Sequence, residues 1–107
     1  MSTVCLGYMT FPDEKTAEAI CQKLLEDKLI ACANIIPKSF SLYEWEGSLK
    51  KASEVVTFIK TTTTCTDKIT ESLKNNHPHM CPCFLTFSVQ GGTPDFLDWV
   101  RESTTVL

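Results

Sequence analysis

The chain has one arginine, Arg101, two histidines, His77 and His79, and four glycines, Gly7, Gly47, Gly91 and Gly92, in 107 residues. Each shortage removes a class of function. Without clustered glycines, no loop can lay successive backbone amides against a phosphate, which argues against a nucleotide-cradling turn. Ten Lys and Arg stand against thirteen Asp and Glu, a net charge of −3, so no basic field draws in nucleic acid or anionic lipid. No apolar run approaches the roughly 20 residues of a membrane-crossing helix. The first apolar stretch, Val4 to Met9, lacks the basic flank and small-residue cleavage pattern of a secretory signal. The expected location is therefore the cytoplasm, where Cys5, Cys21, Cys32, Cys65, Cys81 and Cys83 would be thiols, most of them small buried hydrophobes. Repeats, linkers and low-complexity tracts are missing as well.

What is present suits one domain spanning residues 1–107. At 43% hydrophobic and 21% charged, the chain should bury roughly 65% of its unfolded surface, enough for an ordinary core without staples. Val4 to Thr10 reads as a strand stopped by Pro12, and Asp13-Glu14 place negative charge at a helix start. Ala17, Ile20, Cys21, Leu24 and Leu25 then form one apolar stripe at helical spacing. From Leu29 the period changes to a near-continuous apolar run, Leu29 to Ile36, which continues past Pro37 through Phe40, Leu42, Tyr43 and Trp45. This predicts a long strand bent at Pro37, where a missing N–H suits a bulge or a sheet edge. Glu46-Gly47-Ser48 turns the chain, and Glu54 to Thr62 forms the returning arm of a long hairpin.

A second helix is expected from Thr66-Asp67, capped by either residue, with Ile69 and Leu73 buried and His77-Pro78 as its stop. Phe84 to Val89 reads as the last strand, with Leu85, Phe87 and Val89 on one face. After Gly91-Gly92, Thr93 caps a terminal helix that Pro94 begins and that carries Phe96, Trp99 and Val100. The order is β-α-β-β-α-β plus a C-terminal helix: an α+β, ferredoxin-like fold with an overlong central hairpin. Such a fold hosts many functions and licenses none.

Chemistry concentrates in His77-Pro78-His79-Met80-Cys81-Pro82-Cys83, which packs two imidazoles, a thioether and two thiols into seven residues. Extended, this segment would turn His77, His79, Cys81 and Cys83 to one side, a donor set for Cu(I) or Zn(II) and not for Mg(II) or Ca(II). The competing reading is a helix stop followed by cysteines lining the start of a core strand. Elsewhere the structural readings win. Asp13 with Glu14, and Glu44 with Glu46, lack the apolar setting that would split their pKa values for acid and base roles. Lys60 to Thr64 has hydroxyls but no glycines for a phosphate. Tyr43, Trp45 and Trp99 could form a ligand platform, although aromatics on projecting elements more often pack against a neighbouring subunit.

Across nearly its whole length the sequence resembles the CutA family of divalent cation tolerance proteins. The resemblance rests on Pro12-Asp13-Glu14 before the amphipathic helix and on the run from Leu29 to Pro37. It extends through Ser41 to Gly47, Ile59 to Thr62, His77-Pro78 and Asp98-Trp99. It implies a ferredoxin-like protomer, a tight homotrimer whose long hairpins extend sheets across subunit boundaries, a link to copper tolerance and copper binding, and no established reaction. The metal residues proposed for the family are a cysteine ending the first strand, the His-Pro histidine and a glutamate after the next proline. The matching positions here are Met9, His77 and Cys83, and His79 replaces the usual tyrosine. With Met9, His77, His79, Cys81 and Cys83 as donors, the set is softer and would favour copper as Cu(I). The expectation is a non-enzymatic homotrimer of copper or divalent-cation homeostasis, without nucleic acid or membrane. The alternative is a trimeric scaffold or sensor holding a small ligand or protein partner in its intersubunit clefts. An acylphosphatase-like enzyme would need an arginine in a loop after the first strand, and a nucleotide-binding regulator of the PII type would need a glycine-rich phosphate contact. Neither is present.

Overall fold

A computed structural model describes residues 3–104. Its elements are β1 (Val4–Phe11), α1 (Glu14–Glu26), β2 (Cys32–Trp45), β3 (Ser48–Thr62), α2 (Thr66–Asn76), β4 (Phe84–Ser88) and α3 (Pro94–Ser103). The four strands form one antiparallel sheet in the order β2-β3-β1-β4, so β2 and β4 are its edges. The expected α+β order is the order found.

α1 begins at Asp13, whose carboxylate accepts the Thr16 N–H at 2.7 Å. That bond holds the Asp13 carboxyl below its usual range. Ala17, Ile20, Cys21 and Leu24 are buried, but Leu25 is 42% exposed. Eight residues after Ala17 the helix has turned about 80° beyond two full turns, which carries Leu25 to the margin of the stripe. Lys28 ends the helix with φ of 58°, and the Lys28 and Leu29 amides return to the Leu25 and Leu24 carbonyls. This Schellman arrangement folds Leu29 back over Leu24 into the core. Strand pairing is thereby delayed. β2 starts at Cys32 and not at Leu29, after Ala31 has reached the Lys60 carbonyl.

The bend expected at Pro37 is a bulge, in which Pro37 and Lys38 together oppose Val55 on an edge strand. The hairpin closes tighter than expected. Glu46 and Gly47 both have positive φ, 51° and 80°, giving a two-residue turn of the type I′ class that lets Trp45 pair at once with Ser48. The returning arm is therefore fifteen residues, Ser48–Thr62, and not the nine from Glu54. A 3-10 turn, Thr63–Cys65, leads into α2, so neither Thr66 nor Asp67 acts as the cap; the Thr66 hydroxyl donates to the Thr63 carbonyl instead. Thr93 stands at the start of α3 without a side-chain cap bond, and Val89 lies beyond the end of β4.

Both α1 and α2 cover one face of the sheet. Met9, Phe11, Val55 and Ile59 from β1 and β3 meet Leu24, Ile69 and Leu73 there. A smaller cluster of Val4, Ala31 and Val100 seats α3. Gly7, on central β1, permits Ile59 and Phe84 to close over its backbone: a Cβ there would lie 2.5 Å from Ile59 Cγ1 and 3.0 Å from Phe84 Cε1. Thr57 is fully buried on the same face, and its hydroxyl has no partner among the described residues. An unmade buried hydrogen bond costs about 1–3 kcal/mol, so Thr57→Val should raise the thermal midpoint in calorimetry, and a lower midpoint would contradict this account.

The other face carries no helix over its centre. Leu85 and Phe87 of β4, 55% and 51% exposed, lie beside Tyr8 and Leu6 of β1, with Phe58, Val56 and Ile36 further across. Tyr8 and Phe58 meet edge to face at 5.6 Å. The far half of the hairpin projects past the helices, exposing Phe40, Leu42 and Leu49 on one side and Tyr43 and Trp45 on the other.

Candidate metal and ligand cleft

Where the hairpin leaves the sheet, its open face and the loop between α2 and β4 enclose a cleft of about 540 Å³. Tyr43, Trp45, Lys50 and Glu54 form the hairpin wall, Thr10 the floor at the end of β1, and the Pro78 to Cys83 loop the third side. His79, Cys81 and Cys83 line this cleft, Cys81 exposed and Cys83 half-buried. Burial pushes the Cys83 thiol up, a hydrogen bond with the Thr10 hydroxyl pulls it back, and the negative charges of Glu54 and Cys81 raise it further.

Two of the five sequence-predicted donors do not reach the cleft. Met9 is fully buried, because alternation along β1 turns it to the helix face while neighbouring Thr10 turns to the cleft. His77 is buried too, stacked on Phe11 with centroids 5.0 Å apart and planes inclined by 19°. Its Nε2–H donates to the Thr10 carbonyl at 2.9 Å, and its Nδ1 accepts the His79 backbone N–H at 3.1 Å. A carbonyl can only accept and an amide N–H only donate, so these partners fix the tautomer and occupy both ring nitrogens. His77 is a latch that ties the loop to the end of β1 and sets the backbone at His79. Residues Pro78 to Cys81 bend, so the extended presentation of His77, His79, Cys81 and Cys83 on one side does not occur. Among the described residues, no three His, Cys, Asp or Glu side chains converge as a preformed metal group.

Glu54 joins the cleft although no motif in the sequence marks it. Its Oε2 is shielded from water with no hydrogen-bond partner among the described residues, and the side chain stands beside Cys83. Strand alternation was the available signal, since counting back from Lys60 through Phe58 and Val56 places Glu54 on the open face. The remaining candidates are structural. Asp13 caps α1, and Glu44 and Glu46 are exposed at the hairpin tip. Thr61 donates to the Leu29 carbonyl at 2.6 Å, and the Thr62 hydroxyl lies 3.4 Å from Cys65 Sγ. Cys5, Cys21 and Cys65 are buried as expected, but Cys32 is half-buried on edge strand β2.

Comparison with known proteins places these features in context. The sequence profile described as CutA1 divalent ion tolerance protein matches residues 5–103. The divalent-cation tolerance protein CutA of Escherichia coli is 43% identical over 94 residues, 88% of this chain and 84% of its own length. The divalent ion tolerance protein CutA1 of Ehrlichia chaffeensis superposes with a TM-score of 0.92 at 33% identity, over 99% of both chains. The periplasmic divalent cation tolerance protein CutA of Archaeoglobus fulgidus superposes at 0.90 with 34% identity, over 94% of this chain and 97% of its own.

Proposed function

The chain belongs to the CutA1 divalent ion tolerance family, and from that premise we propose that it acts in divalent-cation and copper homeostasis as a non-catalytic homotrimer. His79, Cys81 and Cys83 are the donors that capture copper or a similarly soft ion. The observation that carries the metal reading is the placement of these three side chains on one cleft wall, with Cys81 open to solvent. Two thiolates and an imidazole suit Cu(I) or Zn(II). His77 contributes by holding the loop, and Met9 by packing the strand behind it. Because the donors are not gathered in the free chain, capture requires the loop to close around the ion. Six cysteines, none paired with another among the described residues, suit a reducing, cytoplasmic setting.

Trimeric assembly is supported by the uncovered sheet face and the two-sided apolar hairpin, surfaces that monomers seldom leave in water. The cleft lies where that hairpin emerges, so a neighbouring protomer would close it. Titration of the reduced protein with Cu(I) against a competing chelator tests the metal reading. Cys81→Ser with Cys83→Ser should weaken capture by roughly tenfold or more. Affinity no better than that of free cysteine, or a double variant equal to the parent, would overturn it.

One observation favours a second reading, in which the cleft holds a small ligand or a partner group and the protein is a scaffold or sensor. Glu54 presents an unpaired carboxylate oxygen beside the Tyr43 and Trp45 wall. That reading predicts metal-indifferent behaviour and a ligand retained by the purified protein.

A further inference from the structure

The loop between α2 and β4 carries two thiols separated only by Pro82, and they differ in setting. Cys81 is exposed, whereas Cys83 is half-buried and its thiol is hydrogen-bonded to Thr10. Residues two apart have Cα atoms within about 7 Å in any conformation, near the outer edge of the window of roughly 4.4–6.8 Å that a disulfide spans. Both residues line the same cleft. No other thiol competes for either of them. Cys5, Cys21 and Cys65 are enclosed in the interior, and Cys32 stands on β2, the edge of the sheet opposite β4.

We propose that Cys81 and Cys83 form a reversible disulfide by exchange with a small-molecule disulfide of the oxidised glutathione class, making this loop a redox-sensitive site. Exposure assigns the order of events. The Cys81 thiolate attacks one sulfur of the oxidant, forming a mixed disulfide and expelling one glutathione thiolate. Cys83, after losing its proton to water, attacks Cys81 Sγ and expels the second. Two protein thiols are oxidised to one S–S bond, and one glutathione disulfide is reduced to two glutathione molecules. Cys83 is half-buried, which makes its sulfur less accessible to a bulky oxidant and suits it to the second, intramolecular attack and not the first.

A ring closed across a single intervening proline is strained, and strained disulfides are the more oxidising and labile ones. The bond is therefore suited to switching and not to holding the fold. Once closed it leaves neither thiolate for a soft cation, so oxidation state and metal capture would exclude one another at this loop. The disulfide itself does not depend on the metal reading.

The test uses the full-length protein, reduced, freed of reductant and metal, and equilibrated with glutathione and its disulfide before acid quenching and alkylation. Trypsin releases Asn75 to Arg101 as one peptide containing both thiols. The expected product is that peptide carrying no alkyl group, two hydrogens lighter than its dithiol form, and restored to the dithiol by excess glutathione. Cys83→Ser should stop at a mixed disulfide on Cys81, and Cys81→Ser should react more slowly than the parent. The proposal is overturned if the parent peptide emerges dialkylated under conditions that glutathionylate Cys83→Ser, if it carries two glutathiones, or if either cysteine is bridged elsewhere.

Discussion

Replacing Phe87 with aspartate should split the proposed trimer into single chains. By sedimentation equilibrium at micromolar concentration, the parent is expected at three times 12.0 kDa and the variant at 12.0 kDa. Phe87 stands on the helix-free face of the sheet, on edge strand β4, next to Leu85 and across from Leu6. In the assembled protein that face would pack against other protomers, and a carboxylate there would have to lose its hydration, with Lys60, a cation on the same face, two strands away and bonded to Asn34. The penalty for such a group is several kcal/mol per ion, and a closed assembly would incur it in every copy. The thermal midpoint should fall with the mass, because subunits that stabilise one another lose that contribution on dissociation. Phe87→Leu, which keeps the face apolar, should remain trimeric. A monomeric parent would dispose of the trimer, and an aspartate variant still at three times 12.0 kDa would remove Phe87 from its interface.

Gly7→Val is expected to be the most damaging single change inside one protomer. Even the first added carbon would sit 2.5 and 2.9 Å from two atoms of Ile59 and 3.0 Å from the Phe84 ring. β1 is hydrogen-bonded to β3 on one side and β4 on the other, so it cannot shift away without breaking a ladder. Overpacking of this kind costs about 1–3 kcal/mol for one or two methylenes, and valine adds three carbons. Chemical denaturation should therefore show a large fall in midpoint for Gly7→Val and a smaller one for Gly7→Ala. The mechanism has its own check, since Ile59→Ala removes both clashing atoms. Combined with Gly7→Ala, it should destabilise by less than the sum of the two single changes. Additive losses would show that Gly7 is needed for another reason.

Element order was legible because the periodic segments are consistent with their final environment. The α1 stripe buries every residue its spacing selects except Leu25, and the inner half of β3 alternates Val55, Thr57, Ile59 and Thr61 into the interior. At the start of β2 the boundary was decided by local hydrogen bonds outside regular elements. Lys28 in the left-handed region sends the Leu29 amide back to Leu24, so an apolar run that looks like strand from Leu29 spends its first residues capping a helix. The returning hairpin arm looks short in the sequence because Ser48 to Ser53 is mostly polar and exposed, and β-propensity is silent where nothing is buried. The site was half legible. Composition marked the loop, but only the fold could reveal that His77 spends both nitrogens on the backbone, that Met9 faces away, and that Glu54 arrives from a distant strand.

The bulge at Pro37 and Lys38 also governs the chemistry of the cleft by parity. Before it, the even residues Cys32, Asn34 and Ile36 face the side without helices; beyond it, the odd residues Ser39, Ser41, Tyr43 and Trp45 do. One supernumerary residue exchanges the two sides of the outer half of β2, while β3 keeps its alternation unbroken. Had β2 run through these same residues in unbroken alternation, Phe40 and Leu42 would face His79 and the two thiols, and the phenol and indole would lie on the opposite surface. The hydroxyl- and nitrogen-bearing rings thus meet the donor loop because of a count of one, made roughly six to eight residues away.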